Sequence, residues 1–105
     1  MSSQGFQLYR WTRQDYAKMA AKGIFHPEER LELIRGNIIQ MSPQTSFHAT
    51  TIRLVEEALR SVCPQGYDVR VQLPLALMPD SEPEPDIAVV SGKPRDYRNK
   101  HPETA

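Results

Sequence analysis

The sequence predicts an α+β fold, and three patterns of apolar residues carry that reading. His48, Ile52, Val55, Leu59 and Val62 fall at steps of four, three, four and three, which is the spacing of one face of a helix. Val69, Val71, Leu73, Leu75 and Leu77 occupy alternate positions with Arg70 and Gln72 between them, the two-residue period of a strand with one polar face. Leu31 and Leu33 alternate about Glu32, and Ile38, Ile39 and Met41 follow Arg35-Gly36, which is a hairpin signal.

In chain order, Thr12 followed by Asp15 resembles a capping box, and Tyr16, Met19 and Ala20 then recur at helical spacing until Gly23 offers a stop. This predicts a helix from about Arg13 to Lys22, with Arg13, Lys18 and Lys22 on its polar side. His26-Pro27-Glu28-Glu29 reads as a loop, and Arg30 to Met41 as two strands about Arg35-Gly36. Glu32 lies between two leucines on a strand, so its side chain points to the opposite face, which is either water or a functional cleft. Ser42-Pro43 ends the hairpin, Ser46 is the expected N-cap of the next helix, and Cys63-Pro64-Gln65-Gly66 stops it. His48 falls in its first turn, as a packed residue or as a functional one. The strand from Tyr67 to Leu77 contains Pro74, which lacks an amide donor, so an edge position or an irregularity is expected there.

The most informative stretch is Ser81-Glu82-Pro83-Glu84-Pro85-Asp86-Ile87-Ala88-Val89-Val90. Pro83 and Pro85 fix φ and push their predecessors toward extended conformations, so the acidic lead-in is neither helix nor central strand. Ile87 to Val90 has the composition of a short buried strand, with Asp86 at its entrance. Glu82, Glu84 and Asp86 would equally serve to solubilise a loop. Beyond Ser91-Gly92 the chain carries Lys93, Arg95, Arg98 and Lys100.

The 105 residues are 39% hydrophobic, enough for one small domain (1–105) with a modest core, ending in a basic segment at 93–105. Thirteen basic and thirteen acidic side chains cancel, so any polyanion must be drawn by a local patch rather than by net charge. The single Cys63 forms no internal disulfide, and no apolar run approaches a membrane span or a signal peptide. A soluble, cytoplasmic chain with no membrane partner is expected. There is no Gly-rich phosphate loop, no cysteine pair for zinc and no Gly-x-Ser-x-Gly elbow. The remaining chemistry is carboxylate: Glu32 on the hairpin, Glu84 and Asp86 at the head of a strand. Magnesium takes one or two protein carboxylates plus waters and substrate phosphate oxygens, so these residues permit a metal site without demanding one.

The ordered set Arg30-Leu31-Glu32-Leu33-Ile34-Arg35-Gly36-Asn37-Ile38, Met41-Ser42-Pro43, His48, Val71-Gln72-Leu73-Pro74-Leu75, Pro83-Glu84-Pro85-Asp86-Ile87-Ala88-Val89-Val90 and Tyr97 resembles the Uma-type putative restriction endonuclease family. The resemblance spans nearly the whole chain from about Tyr9. It implies a restriction-endonuclease-like fold of the PD-(D/E)XK superfamily, built around Mg2+ or Mn2+ and acting on DNA. By that resemblance Asp86 is the aspartate of the "PD" element and a metal ligand, and Glu32 is a second metal ligand supplied ahead of the core. Gln72 and His48 are supporting site residues. Asn37 departs from the family, which commonly has an acidic residue there. The fold is expected to be incomplete, with an N-terminal helix, a hairpin, a core helix and two core strands, and without the strand that carries Glu-x-Lys.

Two functional readings follow: part of a metal-dependent endonuclease, or a non-catalytic module that pairs with another chain. Glu32 and Asp86 should face a common cleft, and the helix of His48 should cover Val69, Val71, Leu73 and Leu75. The edge of the Ile87–Val90 strand should stay open and favour homo-oligomers. The chain alone should not cut DNA.

Overall fold

The computed structural model describes residues 7–105 as two helices, two small antiparallel sheets and a short 3-10 helix. This mixed architecture agrees with the incomplete restriction-endonuclease-like arrangement. Helix α1 is Arg13–Ala21, and the capping box forms as expected: Thr12 Oγ1 accepts from Asp15 N–H while Asp15 accepts from Thr12 N–H. Its stop lies at Gly23, in the left-handed region at φ +72°. The expected stripe is only half covered: Tyr16 and Met19 are partly shielded, Ala20 is exposed, and Tyr16 packs its ring against Phe25.

Strands β1 (Leu31–Ile34) and β2 (Asn37–Gln40) pair with Ile34 opposite Asn37, leaving Arg35-Gly36 as a two-residue turn. Both turn residues have positive φ, +47° and +82°, the geometry whose twist matches that of a hairpin. Two segments converge on this tip, one at Trp11 and one at Asp80-Ser81. Gly36 C=O accepts from Trp11 N–H (2.9 Å), Gly36 N–H donates to Asp80 C=O (2.7 Å), and Arg35 N–H donates to Ser81 Oγ (2.9 Å). A Cβ on Gly36 would lie 2.7 Å from Arg10 Cβ, so the approach itself requires glycine.

Helix α2 is Ser46–Val62, and two expectations are corrected there. Its N-cap is Thr45, whose Oγ1 accepts from His48 N–H, and Ser46 is the first helical residue. The shielded line runs through Ala49, Ile52, Glu56, Leu59 and Cys63, whereas Val55 and Val62 are exposed, Val62 at 74%. Both lines obey the same three-and-four spacing, and packing on the following strand selects between them: Arg60 Nη2 donates to Val69 C=O at 3.0 Å while its Nε bonds Glu56.

The following strand, β3, is Tyr67–Val71 and stops well short of Leu77. Gln72 takes φ +53°, which turns the chain out of the strand, and Pro74 has no amide with which to resume a ladder. The alternation consequently fails: Leu73 is exposed while the adjacent Leu75 and Ala76 are both buried. Helix α2 therefore packs on β3 itself and not on the whole predicted face. Strand β4 is Ile87–Ser91, antiparallel to β3 with Val69 opposite Val89. Asp86 C=O accepts from Gln72 N–H and Gly66 C=O from Gly92 N–H, so Ala88 and Val90 direct their backbone groups at β3. By alternation, those of Ile87 and Val89 face the outer edge.

Strand β1 is joined to the acidic lead-in of β4 by an isolated bridge between Leu33 and Glu82 (N–H to C=O, 3.3 and 2.6 Å). Around it lies the core of Leu33, Ile52, Val69, Leu75, Ala76 and Val90. The basic segment is docked: a 3-10 helix, Pro94–Tyr97, returns Tyr97 OH to Ser91 C=O, and buried Pro102 accepts from Ala76 N–H. Among the described residues no helix is long and apolar enough to cross a membrane.

Candidate active site

An open cleft of about 490 Å³ lies where β1, the acidic lead-in and the start of α2 meet. Glu32 reaches it because Leu33, its neighbour on β1, is wholly buried and the strand's alternation turns Glu32 to the other face. The lead-in is held extended by its prolines and tied along its length. Glu82 bridges Leu33, and Pro83 C=O accepts from Leu75 N–H at 2.9 Å. Glu84 N–H donates to Glu32 Oε1 at 2.5 Å.

This geometry delivers Asp86 to the cleft immediately ahead of β4. Its carboxylate Oδ2 lies 3.2 Å from His48 Nε2, with both side chains about half exposed (49% and 48%). The Thr45 cap fixes the turn from which His48 projects. Glu32, His48, Glu84 and Asp86 thus share one cleft, and the expected convergence of Glu32 and Asp86 is present. Gln72 does not line it. That residue meets Asp86 through its backbone, donating its amide to Asp86 C=O at 3.0 Å.

Burial raises the Glu84 pKa, and the nearby Glu32 charge adds to the rise while Arg30 opposes it. Burial thus penalises the charged form of Glu84 first, and the repulsion from Glu32 comes second. Hard carboxylate oxygens from two separate elements suit Mg2+ or Mn2+, which takes one or two such donors and completes its shell with water and phosphate oxygens. Among the described residues no three His, Cys, Asp or Glu side chains form a ready-made metal cage. The donor chemistry fits a hard divalent cation held by few protein ligands.

Besides the capping Thr45, Arg30 and Gln44 line the cleft without having been anticipated from the sequence. Arg30 shares the parity of Glu32, a signal from the strand period that would have been enough to find it. Gln44 sits in the irregular link between hairpin and helix, where no period applies. A separate cleft of about 560 Å³ lies between α1 and the C-terminal segment, lined in part by Arg13, Tyr16, Glu82, Arg98 and His101. There, burial and the charges of Glu82, Glu84 and Glu32 push the Tyr16 phenol up to about 12, so it stays protonated.

No curated protein and no solved structure matches the chain. Residues 13–105 match the Uma2 family, described as putative restriction endonuclease. That match covers the hairpin, the capped helix and the Asp86 strand that build the cleft, and on it the chain belongs to the Uma2 putative restriction endonuclease family.

Proposed function

We propose that this chain carries the metal-holding side of a site for DNA phosphodiester hydrolysis, with Asp86 and Glu32 as the ligands of Mg2+ or Mn2+. The convergence of Glu32, Glu84, Asp86 and His48 on one open cleft supports the reading. The metal, when bound, polarises a phosphodiester and lowers the pKa of an attacking water. The chain's own residues hold it in place. His48 steadies the Asp86 carboxylate from outside, as partners of metal ligands commonly do. The Gln72 amide fixes the Asp86 backbone, and Glu32 ties the lead-in to the hairpin. Among the described residues no lysine lines the cleft, so those around it supply no counterpart of the Glu-x-Lys lysine.

The test is Mn2+ binding, followed by the loss of the free-ion paramagnetic resonance signal, in parallel with supercoiled-plasmid nicking. The parent should bind Mn2+ and the Asp86→Ala variant should bind it about tenfold more weakly or worse, with neither chain nicking plasmid by itself. Equal Mn2+ binding by the two chains would remove the metal site. Metal-dependent nicking that Asp86→Ala abolishes would uphold the nuclease reading and refute the expectation that this chain is inactive alone.

A second reading, a non-catalytic module that pairs with another copy of itself, is favoured by exposed Phe47 (84%), Leu54 and Val62 on α2 and by the outer edge of β4. A concentration-dependent sedimentation coefficient together with no Mn2+ binding would select it.

A further inference from the structure

We infer that Arg30 and Gln44 form an oxyanion seat on this cleft, one that takes a nonbridging oxygen of a phosphodiester. The inference rests on the phosphodiesterase reading above and adds to it the group that holds the anion. A cleft lined only by Glu32, Glu84 and Asp86 would attract a cation and repel the phosphate it must act on. A complementary positive element is required on the same cleft.

Arg30 supplies the charge. It lies one residue ahead of β1, where its C=O accepts from Met41 N–H at 2.7 Å, and this bond fixes the root of the side chain. Among the described residues its guanidinium enters no ion pair and no side-chain hydrogen bond, although its charge is felt at Glu84. A guanidinium presents paired donors that match phosphate oxygens.

Gln44 supplies a neutral donor. Its Nε2 is shielded from solvent and donates to no group among the described residues. Buried amide donors are almost always paired, and Gln44 lines the cleft, so a turn of its side chain would bring this orphaned donor to an acceptor held there. The first turn of α2 adds to the same side of the balance. Thr45 and His48 line the cleft, that turn carries no acidic residue, and the helix dipole is positive at this end.

The experiment uses the full chain labelled with 15N and follows the Gln44 side-chain amide and Arg30 Nε–H during titration with the dinucleotide dTpT, and separately with inorganic phosphate, in Ca2+. Both groups should shift on adding dTpT. Arg30→Gln should weaken dTpT binding about tenfold, the loss of a hydrogen bond to a charged group, and Gln44→Ala should weaken it by a smaller factor. Shifts confined to other residues, or an unchanged affinity in Arg30→Gln, would overturn the seat while Mn2+ binding still tests the metal reading separately. Saturation by phosphate without response to dTpT would make it a free-phosphate site and refute the phosphodiester assignment. No response to either anion would refute it outright. Response to dTpT in a chain that binds no Mn2+ would uphold the seat and remove the metal.

Discussion

Replacing Glu32 by alanine removes a carboxylate that ties hairpin to lead-in, and the structure allows its cost to be worked out. Glu32 Oε1 accepts from Glu84 N–H at 2.5 Å, a bond between residues 52 apart in sequence. A hydrogen bond to a charged group contributes about 1.5–3 kcal/mol, and partial exposure of this pair places it at the lower end. Against that, the substitution relieves repulsion between Glu32 and Glu84, which for partly exposed carboxylates amounts to about 0.2–1 kcal/mol. The hydrogen bond wins, leaving a net loss of roughly 1 kcal/mol. With a slope near 1 kcal/mol/M for a domain of this size, the urea midpoint followed by circular dichroism should fall by about 1 M. Glu32→Gln keeps an oxygen acceptor and relieves the same repulsion, so its midpoint should stay close to that of the parent. A Glu32→Ala midpoint equal to the parent's would refute the tie, and an equal fall in Glu32→Gln would show that charge rather than the hydrogen bond holds the lead-in.

Leu33→Ala opens a cavity at the one core position with no exposure at all and should cost about 3 kcal/mol, a large part of a small domain's stability. Its thermal midpoint should fall by more than about 10 °C, whereas Val62→Ala, at an exposed site, should change stability by less than about 0.5 kcal/mol. Glu82→Gln probes a carboxylate whose pKa is raised by burial, against the opposing charges of His101 and Arg13. A raised value means that the folded chain holds this proton more tightly than the unfolded one, so stability falls as pH climbs from 4.5 through the folded value. Glu82→Gln should therefore raise the urea midpoint at neutral pH, with the gain vanishing below pH 4.5. A gain that persists in acid would point to a cause other than charge.

What the sequence reveals about this fold is local. Thr12 and Asp15 specify a capping box within four residues, and Arg35-Gly36 specifies a turn within two, because each satisfies its own neighbours. The end of β3 is not local. Gln72 has no intrinsic preference for positive φ, and the leucines beyond it keep the strand period even though the chain has already turned. On α2, the line through Val55 and Val62 and the line through Glu56 and Cys63 fit a helix equally well, and only the position of β3 decides between them. The same division runs through the cleft. The phase of Glu32 on its strand and the prolines ahead of Asp86 bring both acids to one place from sequence logic alone. The bond from Glu84 N–H and the orphaned Gln44 amide depend on how distant segments come to rest.

The clasp at the hairpin tip bears on the order in which this molecule assembles. A two-residue hairpin closes within microseconds, but its tip donates to Ser81, 46 residues further along. Closing so long a loop costs entropy before its contacts repay any of it, so the clasp belongs to the slow part of folding. The cleft depends on the same closure, since its hairpin acid and its lead-in acids are brought side by side only when the clasp forms. Amide exchange at Glu84 should then occur through global opening rather than local fraying, and the protection of that one proton reads out whether the whole cleft has been built.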